Sequence, residues 1–225
     1  MAEDPDYLLT GPNSRNSGIG FLLQFDSRDF ATNAYKGVYL NLEYIFYGEY
    51  LGGENGFTLR GLDYRQYVQL KERHILAWEI KSQWVTSDSP WTEKSMIGSP
   101  WDLRGYFWGR FRDNFMTFAL VEYRHMFGRK KPNKAGNYKS RSGFALWTGH
   151  GAIAPEITNN LSWIPNVGVG YRFEVQDRMN LRIDYGIGID SSAVYFSFNE
   201  VFKYYIILYK SVNNSLISSP INLLI

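Results

Sequence analysis

The side chains of this sequence that could do chemistry are closely spaced charges rather than nucleophiles. The chain has no cysteine, which excludes thiol catalysis and zinc–thiolate sites, and it has no Gly-x-Ser-x-Gly motif. Its three histidines lie in separate segments without the spacing of a metal site: His74, His125 and His150. Opposite charges instead recur two residues apart, at Asp63/Arg65, Glu79/Lys81 and Arg182/Asp184. Residues two apart share one face of a strand. The spacing therefore favours ion pairs over acid–base dyads, and we expect neither an enzyme nor a cofactor.

A second concentration of charge is the segment SPWDLRGYFWGRFRDNF, residues 99–115. Three arginines and six aromatic residues surround its Arg-Gly-Tyr step. A guanidinium taken out of water needs a carboxylate or carbonyl partner, and its planar fork suits bidentate pairing. Gly105 would let the backbone beside Arg104 turn or approach a wall closely. Judged alone, Arg104 fits an exposed loop arginine without a partner at least as well.

The elements that must position these charges alternate with period two, which predicts strands. Clusters of Gly, Asn, Asp and Pro separate them. Several exceed the usual strand of about five or six residues and reach the roughly nine to eleven of tilted membrane-spanning strands. Nine candidate strands result, near residues 18–26, 37–51, 57–71, 73–85, 115–127, 143–153, 166–175, 179–190 and 193–202.

The alternation by itself fits two classes of protein. A soluble sheet turns its apolar face to the core, whereas a membrane barrel turns it to lipid and keeps a polar lumen. Strand length, an aromatic content of 17% and mixed charges on the polar side favour the membrane. A soluble lipid- or ligand-binding barrel is the weaker alternative. The net charge of +2 provides no basic field for nucleic acid, and no nucleic-acid partner is expected.

Five segments, in order, resemble the BamA/TamA family, also called the bacterial surface antigen or outer-membrane assembly superfamily. They cover residues 18–202 and resemble the C-terminal part of that family's barrel. The first carries an Asp-x-Arg-Asp and a Lys-Gly step, the second the family's Arg-Gly loop motif, and the last its terminal strand. The segments are GIGFLLQFDSRDFATNAYKGVYLNLEY, LRGY, VEYRHMF, VGVGYRFEVQDRMNLRIDYGIGID and VYFSFNEVF.

The resemblance implies an all-β fold, an antiparallel transmembrane β-barrel with a long inserted loop near 86–114. We expect a polar N-terminal segment at 1–17, the barrel domain at 18–202 and an atypical extension at 203–225. That extension could add a tenth strand or be accidental. The chain shows no POTRA-like region and no secretory signal. We therefore expect a truncated product, a fragment or an unusually small relative, and either a cytoplasmic chain or a missing natural start.

The resemblance also implies residue roles. Leu103, Arg104, Gly105 and Tyr106 form the loop motif, which folds into the lumen. The family often supplies the arginine's partner from an aromatic-x-Asp-x-Gly strand, but Gly149 stands in the place of that aspartate. Glu122 is the expected substitute. The candidate lumen partners are Glu122, Arg124, Arg182 and Asp184. The C-terminal assembly signal comprises Phe196, Phe198 and Phe202.

Asp26, Arg28 and Asp29 fit a lumen or turn network, and equally a strand-end turn capped by aspartate.

The function implied by the resemblance is the insertion or translocation of outer-membrane proteins in a Gram-negative bacterium. The implied location is the outer membrane. The implied partners are its lipid, unfolded outer-membrane protein substrates and subunits of an assembly complex. The alternatives are a structural or passive-pore barrel and a non-functional remnant.

Overall fold

The computed structural model describes residues 14–127, 140–157 and 161–200. Within these ranges the regular secondary structure is β-strand, apart from two short 3-10 turns at Glu49–Leu51 and Trp91–Glu93. None of the described residues form a helix long and apolar enough to cross a membrane. The strands are β1 Gly18–Asp26, β2 Gly37–Tyr47, β3 Phe57–Lys71, β4 His74–Val85, β5 Ser95–Ile97, β6 Phe111–Asp113, β7 Phe115–Met126, β8 Ser142–Ala154, β9 Ser162–Gln176, β10 Met179–Ile187 and β11 Ser192–Phe198.

Nine of these strands form one antiparallel sheet in the order β1-β2-β3-β4-β7-β8-β9-β10-β11. The predicted all-β antiparallel fold and its nine strands are confirmed. β5 and β6 form a separate two-stranded hairpin inside the predicted loop 86–114. The predicted strand 37–51 ends earlier, at Tyr47, because the chain turns into the 3-10 turn that follows Gly48. Phe202 and the extension 203–225 lie outside the described residues.

The two ends of the sheet differ in their connections. The tight turns at 72–73 and 177–178 share one end, called here the turn end. The loop 86–114 leaves the opposite end, called the loop end. Arg73 and Arg178 hold the two turns with left-handed backbone angles, φ 64° and 63°. The connection 27–36 also lies at the turn end but is longer than a tight turn. Not every connection at the turn end is therefore short.

The sheet is rolled rather than flat. Five strand spacings of about 4.8 Å would place β2 and β9 about 24 Å apart in a flat sheet. The connection 27–36 nevertheless contacts the β9–β10 turn, since the side chain of Arg178 donates to the carbonyl of Asn33 at 3.0 Å. The amide of Glu200 also donates to the carbonyl of Thr32 at 3.2 Å. No pairing joins β1 to β11 among the described residues, and the barrel is therefore open along this seam.

Burial on the two faces of the sheet is the reverse of that in a soluble sheet. The face that packs against the loop, here the inner face, buries charged side chains such as Glu79, Arg124 and Arg172. The outer face exposes large apolar side chains, with Phe21 78% and Phe196 65% exposed. A sheet of this kind suits lipid outside and a polar lumen inside. Alternation alone fitted both a soluble sheet and a membrane barrel, and the burial favours the membrane barrel.

An apolar layer attaches the loop to the inner face. Ile97, Leu103 and Tyr106 from the loop pack with Phe118 and Trp147 from the sheet. All five side chains are buried. Because dispersion contacts and apolar burial accumulate over such a layer, the loop has a fixed position on the wall from which its polar groups can reach partners.

Candidate functional site

The turn that presents the arginine is organised by Asp102. Its carboxylate accepts hydrogen bonds from the amide of Gly98 at 3.2 Å, the hydroxyl of Ser99 at 2.8 Å and the amide of Leu103 at 2.5 Å. Such local side-chain bonds stabilise turns. The SPWD sequence thereby bends the chain so that Arg104, two residues after Asp102, projects toward the sheet.

Arg104 is completely buried on the inner face and bridges two carboxylates. Its Nη2 lies 2.6 Å from Glu122 of β7, and its Nη1 lies 2.8 Å from Asp184 of β10. Its guanidinium also stacks on Trp147, 3.4 Å from the ring centroid. The structure thus brings together Arg104 and Glu122, the pair expected from the sequence, and adds Asp184 as a second acceptor.

Gly149 provides space instead of charge. A Cβ atom at this position would lie 3.3 Å from the side chain of Leu103, and one at Gly151 would lie 2.6 Å from it. The two glycines of β8 therefore form the floor on which Leu103 packs. An acidic side chain at 149 would compete with that leucine, which explains in physical terms why the carboxylates come from β7 and β10.

A larger group of charges surrounds Arg104 and is called here the central cluster. Arg124 lies 2.6 Å from Glu122, and Arg172 lies 2.5 Å from Asp184. The cluster contains four arginines and three carboxylates, all buried, and so carries one net positive charge. Its members are Arg104, Glu122, Arg124, Arg172, Arg182, Asp184 and Glu200.

The excess positive charge is distributed onto neutral acceptors. Arg182 lies 3.5 Å from Asp184, and its other nitrogens donate to the hydroxyl of Ser197 at 2.5 Å and to the carbonyl of Pro100 at 2.8 Å. A buried guanidinium has several N–H groups to satisfy. Arg182 therefore ties the loop, through Pro100, and β11, through Ser197, to the same cluster.

Gly105 sits where the loop backbone meets the sheet. Its φ of +115° belongs to the region that favours glycine, and a Cβ here would lie 2.8 Å from the backbone of Gly186. Its amide donates to the hydroxyl of Tyr195 at 3.0 Å, and its carbonyl accepts from Ser191 at 2.8 Å. The Tyr195 hydroxyl donates in turn to the carbonyl of Tyr106 at 2.9 Å. Tyr195 of β11 thus holds two successive residues of the loop.

Tyr106 completes the attachment of the loop. Its hydroxyl donates to the carbonyl of Pro165 at 2.5 Å and accepts from the amide of Ile189 at 3.0 Å. The side-chain amide of Asn166 donates to the carbonyl of Arg104. The wall therefore recognises the loop largely through its backbone. Arg104 supplies the buried charge of the loop, and Arg110 adds a more exposed ion pair, 2.5 Å from Asp190.

A separate ion triad lies on the inner face between β3 and β4. Arg65 lies 2.5 Å from Asp63 and 3.1 Å from Glu79. Glu79, expected from the sequence to pair with Lys81, pairs with Arg65 of the neighbouring strand instead. Glu79 and Lys81 border a cavity of about 320 Å³ between these strands and the loop, which Trp101 also lines.

The Asp-x-Arg-Asp residues lie at the turn end and serve as both a turn and a link. Arg28, in the connection 27–36, lies 2.7 Å from Asp26 at the end of β1. Asp29 accepts from the amides of Tyr35 and Lys36 and lies 2.9 Å from Arg178. Its contacts join the first connection of the sheet to the β9–β10 turn, outside the central cluster.

Of the three predicted C-terminal aromatic residues, two lie in the described part of the chain. Phe196 and Phe198 point from β11 to the outer face and are exposed there. Phe202 lies outside the described residues. The inner side of β11 instead carries Tyr195 and Ser197, which contact the loop and the cluster.

Sequence reasoning missed several members of the site. Their signal was weak. Trp147, Asn166, Arg172 and Tyr195 have the parity of the inner face but belong to no recognised motif. Glu200 has the parity of the outward Phe196 and Phe198 and follows the end of β11, after the left-handed Asn199 with φ 64°. No group of three or more potential metal ligands occurs in the described part of the chain. The missed residues are Trp147, Asn166, Arg172, Tyr195 and Glu200.

Together, the open antiparallel sheet, its lipid-suited outer face and the arginine-anchored loop on its inner face define an outer-membrane β-barrel with an inserted loop. The Omp85 superfamily domain matches residues 4–149, more than half of the chain. The chain therefore belongs to the Omp85 superfamily, whose members are associated with the outer membrane and act in protein assembly or translocation. The match confirms the resemblance to the BamA/TamA barrel. No curated protein matches the chain.

Proposed function

We propose that this chain assists the insertion or translocation of outer-membrane proteins by pairing an incoming strand with an edge of its sheet. The supporting observation is that the anchored loop also holds β11, an edge strand. Tyr195 of β11 bonds the loop directly, and Ser197 is linked to the loop through Arg182. An edge strand presents a row of backbone donors and acceptors that another strand can complete. A loop that fixes such an edge from the inside keeps it ready to pair.

The alternation along β11 sets the character of the incoming strand. Val194, Phe196 and Phe198 face outward, whereas Tyr195 and Ser197 face the loop. A partner strand with apolar residues on the outer side and small or polar residues on the inner side continues both surfaces without burying a charge in lipid. This is the pattern of an unfolded outer-membrane barrel strand, which is the substrate class we propose.

A passive pore is the less suitable function for this arrangement. Conduction needs an open lumen, but the loop covers the inner face with the buried side chains of Leu103 and Tyr106. Subunits of an assembly complex are the further partners of the proposed function, and the outer membrane is its location.

The proposal is tested with the full chain reconstituted in liposomes and an unfolded outer-membrane barrel protein as substrate. The folded fraction of substrate is followed by heat-modifiable gel migration, with ion conductance recorded on the same liposomes. We expect faster substrate folding than in empty liposomes and little conductance. Equal folding rates with and without the chain, together with steady conductance, would favour the passive pore and refute the proposal.

Membrane placement needs its own control. The chain should float with liposomes and stay in solution only with detergent. A monodisperse, detergent-free protein would contradict the placement of the outer face in lipid.

A further inference from the structure

The outer face carries a single charged side chain between its two ends. Uncharged residues or histidines occupy the outward positions of the described strands, except for Arg60 of β3 and for Lys71 at that strand's last position. Arg60 is exposed. An arginine on a lipid-facing surface is unfavourable near the bilayer midplane and nearly neutral at the interface. Its position and its neighbours therefore decide what it can do.

Two aromatic rings hold Arg60 from either side. Tyr44 of β2 and Trp84 of β4 are its direct cross-strand neighbours. The guanidinium carbon lies 5.1 Å from the Tyr44 ring centroid and 4.4 Å from the Trp84 ring centroid, within the range of cation–π attraction. One nitrogen also donates to the Tyr44 hydroxyl at 3.3 Å. No carboxylate of the described residues forms an ion pair with Arg60, so its charge is stabilised only by neutral groups.

The height of Arg60 on the sheet matches a membrane interface. β3 begins at Phe57 at the loop end, which places Arg60 three residues, or about 10 Å, along the strand. Tyrosine and tryptophan concentrate at the boundary between hydrocarbon and headgroups, and Tyr44 and Trp84 mark such a boundary here. Phosphates of the lipid headgroups lie at that level.

Below Arg60, toward the middle of the sheet, the outer surface becomes apolar. Leu42 and Leu62 form the next cross-strand pair. On β4, Ser82 pairs with Leu62, and Ile80 is the diagonal neighbour of Leu62, one pair further from Arg60. Leu42 and Ile80 are exposed. A cation at the interface with an apolar track leading away from it complements a molecule with a phosphate head and an acyl chain, and not a free phosphate ion.

We propose that Arg60, Tyr44 and Trp84 form a binding site for the phosphate of an anionic lipid in the leaflet at the loop end. The guanidinium offers a bidentate fork to the phosphate, and the Tyr44 hydroxyl can donate its own hydrogen to a phosphate oxygen. The acyl chain lies along Leu42 and Leu62. The site depends on the membrane placement of the outer face and not on any assembly activity.

The experiment measures bound lipid without any substrate protein, so its outcome is independent of the proposed function. The full chain is folded in nanodiscs that contain phosphatidylcholine with a minor fraction of phosphatidylglycerol. Phosphatidylglycerol retained per protein is measured by native mass spectrometry after mild detergent release. Arg60→Gln is compared with Arg15→Gln, which removes the same charge from a largely exposed side chain near the loop end that pairs with Glu54.

We expect Arg60→Gln to lower the affinity for phosphatidylglycerol about tenfold, equivalent to about 1.4 kcal/mol, and Arg15→Gln to leave it unchanged. Excess inorganic phosphate should not displace the lipid. Equal losses in both variants, retention in Arg60→Gln, or complete displacement by inorganic phosphate would each overturn the proposal.

A second variant guards against a folding defect. Arg60→Leu should fold in pure phosphatidylcholine at least as well as the natural chain, because it removes the lone charge of the outer face, and it should still lose phosphatidylglycerol. A variant that fails to fold in phosphatidylcholine would assign Arg60 a structural role and refute the lipid site.

Discussion

In the central cluster, replacing an arginine by a neutral residue should destabilise the protein less than replacing a carboxylate. Four arginines share three carboxylates, so Arg104→Gln leaves the cluster neutral, whereas Glu122→Gln raises its net charge to two. Arg104→Gln leaves Asp184 with Arg172 at 2.5 Å and Glu122 with Arg124 at 2.6 Å. Each carboxylate therefore keeps a partner.

Glu122→Gln removes the carboxylate that three arginines share. Arg104 and Arg124 each lie 2.6 Å from it, and Arg172 lies 3.8 Å away. The amide that replaces it also points a donor at one of these guanidinium groups. Breaking a buried pair costs about 3–5 kcal/mol, and we expect about 4 kcal/mol for Glu122→Gln. For Arg104→Gln, which loses two charge-assisted hydrogen bonds but strands no charge, we expect about 2 kcal/mol.

The double variant provides the decisive comparison. Independent effects would sum to about 6 kcal/mol, but Arg104→Gln with Glu122→Gln restores a net charge of one, and we expect about 4 kcal/mol. The free energy of unfolding is measured by urea titration in lipid vesicles, with tryptophan fluorescence and heat-modifiable migration as separate probes. If Arg104→Gln proves as costly as Glu122→Gln, or if the two effects add fully, the charge-excess reasoning is wrong.

Three further changes test other parts of the structure. Gly105→Ala should cost about 2 kcal/mol in the same titration, because its Cβ would lie 2.8 Å from the backbone of Gly186. Gly109→Ala also replaces a glycine with positive φ, but its Cβ would meet only the ends of the flexible Met96 at 3.2 Å and Arg112 at 3.5 Å, and it should cost less. Equal costs would argue against a backbone contact at Gly105. Tyr195→Phe removes both hydrogen bonds of the Tyr195 hydroxyl to the loop. Amide hydrogen exchange in β11 should become about tenfold faster, while exchange in β8 stays the same. Unchanged exchange in β11 would mean that the loop does not hold this strand. Burial raises the pKa of Asp29, but the amides of Tyr35 and Lys36 and the guanidinium of Arg178 outweigh it and lower that pKa below its usual 3.8. The stabilisation by Asp29 is therefore present above this value and lost as the pH falls through the lower folded pKa. Asp29→Asn should flatten the pH dependence of the urea midpoint below pH 4, and an unaltered slope would contradict the assignment.

The sequence was sufficient for the strands because period-two alternation is a local property. β1 and β3 have the predicted bounds, 18–26 and 57–71, and the face assignment of Arg182 and Asp184 follows from parity alone. The Arg-Gly loop motif was recognisable by resemblance. Glu122 could be expected as the partner of Arg104 because it lies on the Glu-Tyr-Arg strand, next to the strand that carries Gly149.

The rest of the site depends on distances that no local pattern encodes. Arg172 and Arg104 are 68 positions apart in the chain, yet both contact Glu122 and Asp184. β5 and β6 are three residues each, too short for alternation to reveal. The pairing of Glu79 with Arg65 instead of Lys81 depends on which rotamers cross the strand spacing. Only the rolled sheet brings these groups together.

The contacts of Arg178 and Glu200 with the connection 27–36 give the seam a pivot. They tie the two sides of the sheet at the turn end, so β1 and β11 can separate there only if these contacts break. With them intact, separation is a rotation whose arm is the length of β1, nine residues or about 30 Å. A rotation of about 10° then widens the loop end by about 5 Å, close to one strand spacing. The seam thus has room for a single extended chain at the loop end, while every contact at the turn end stays intact.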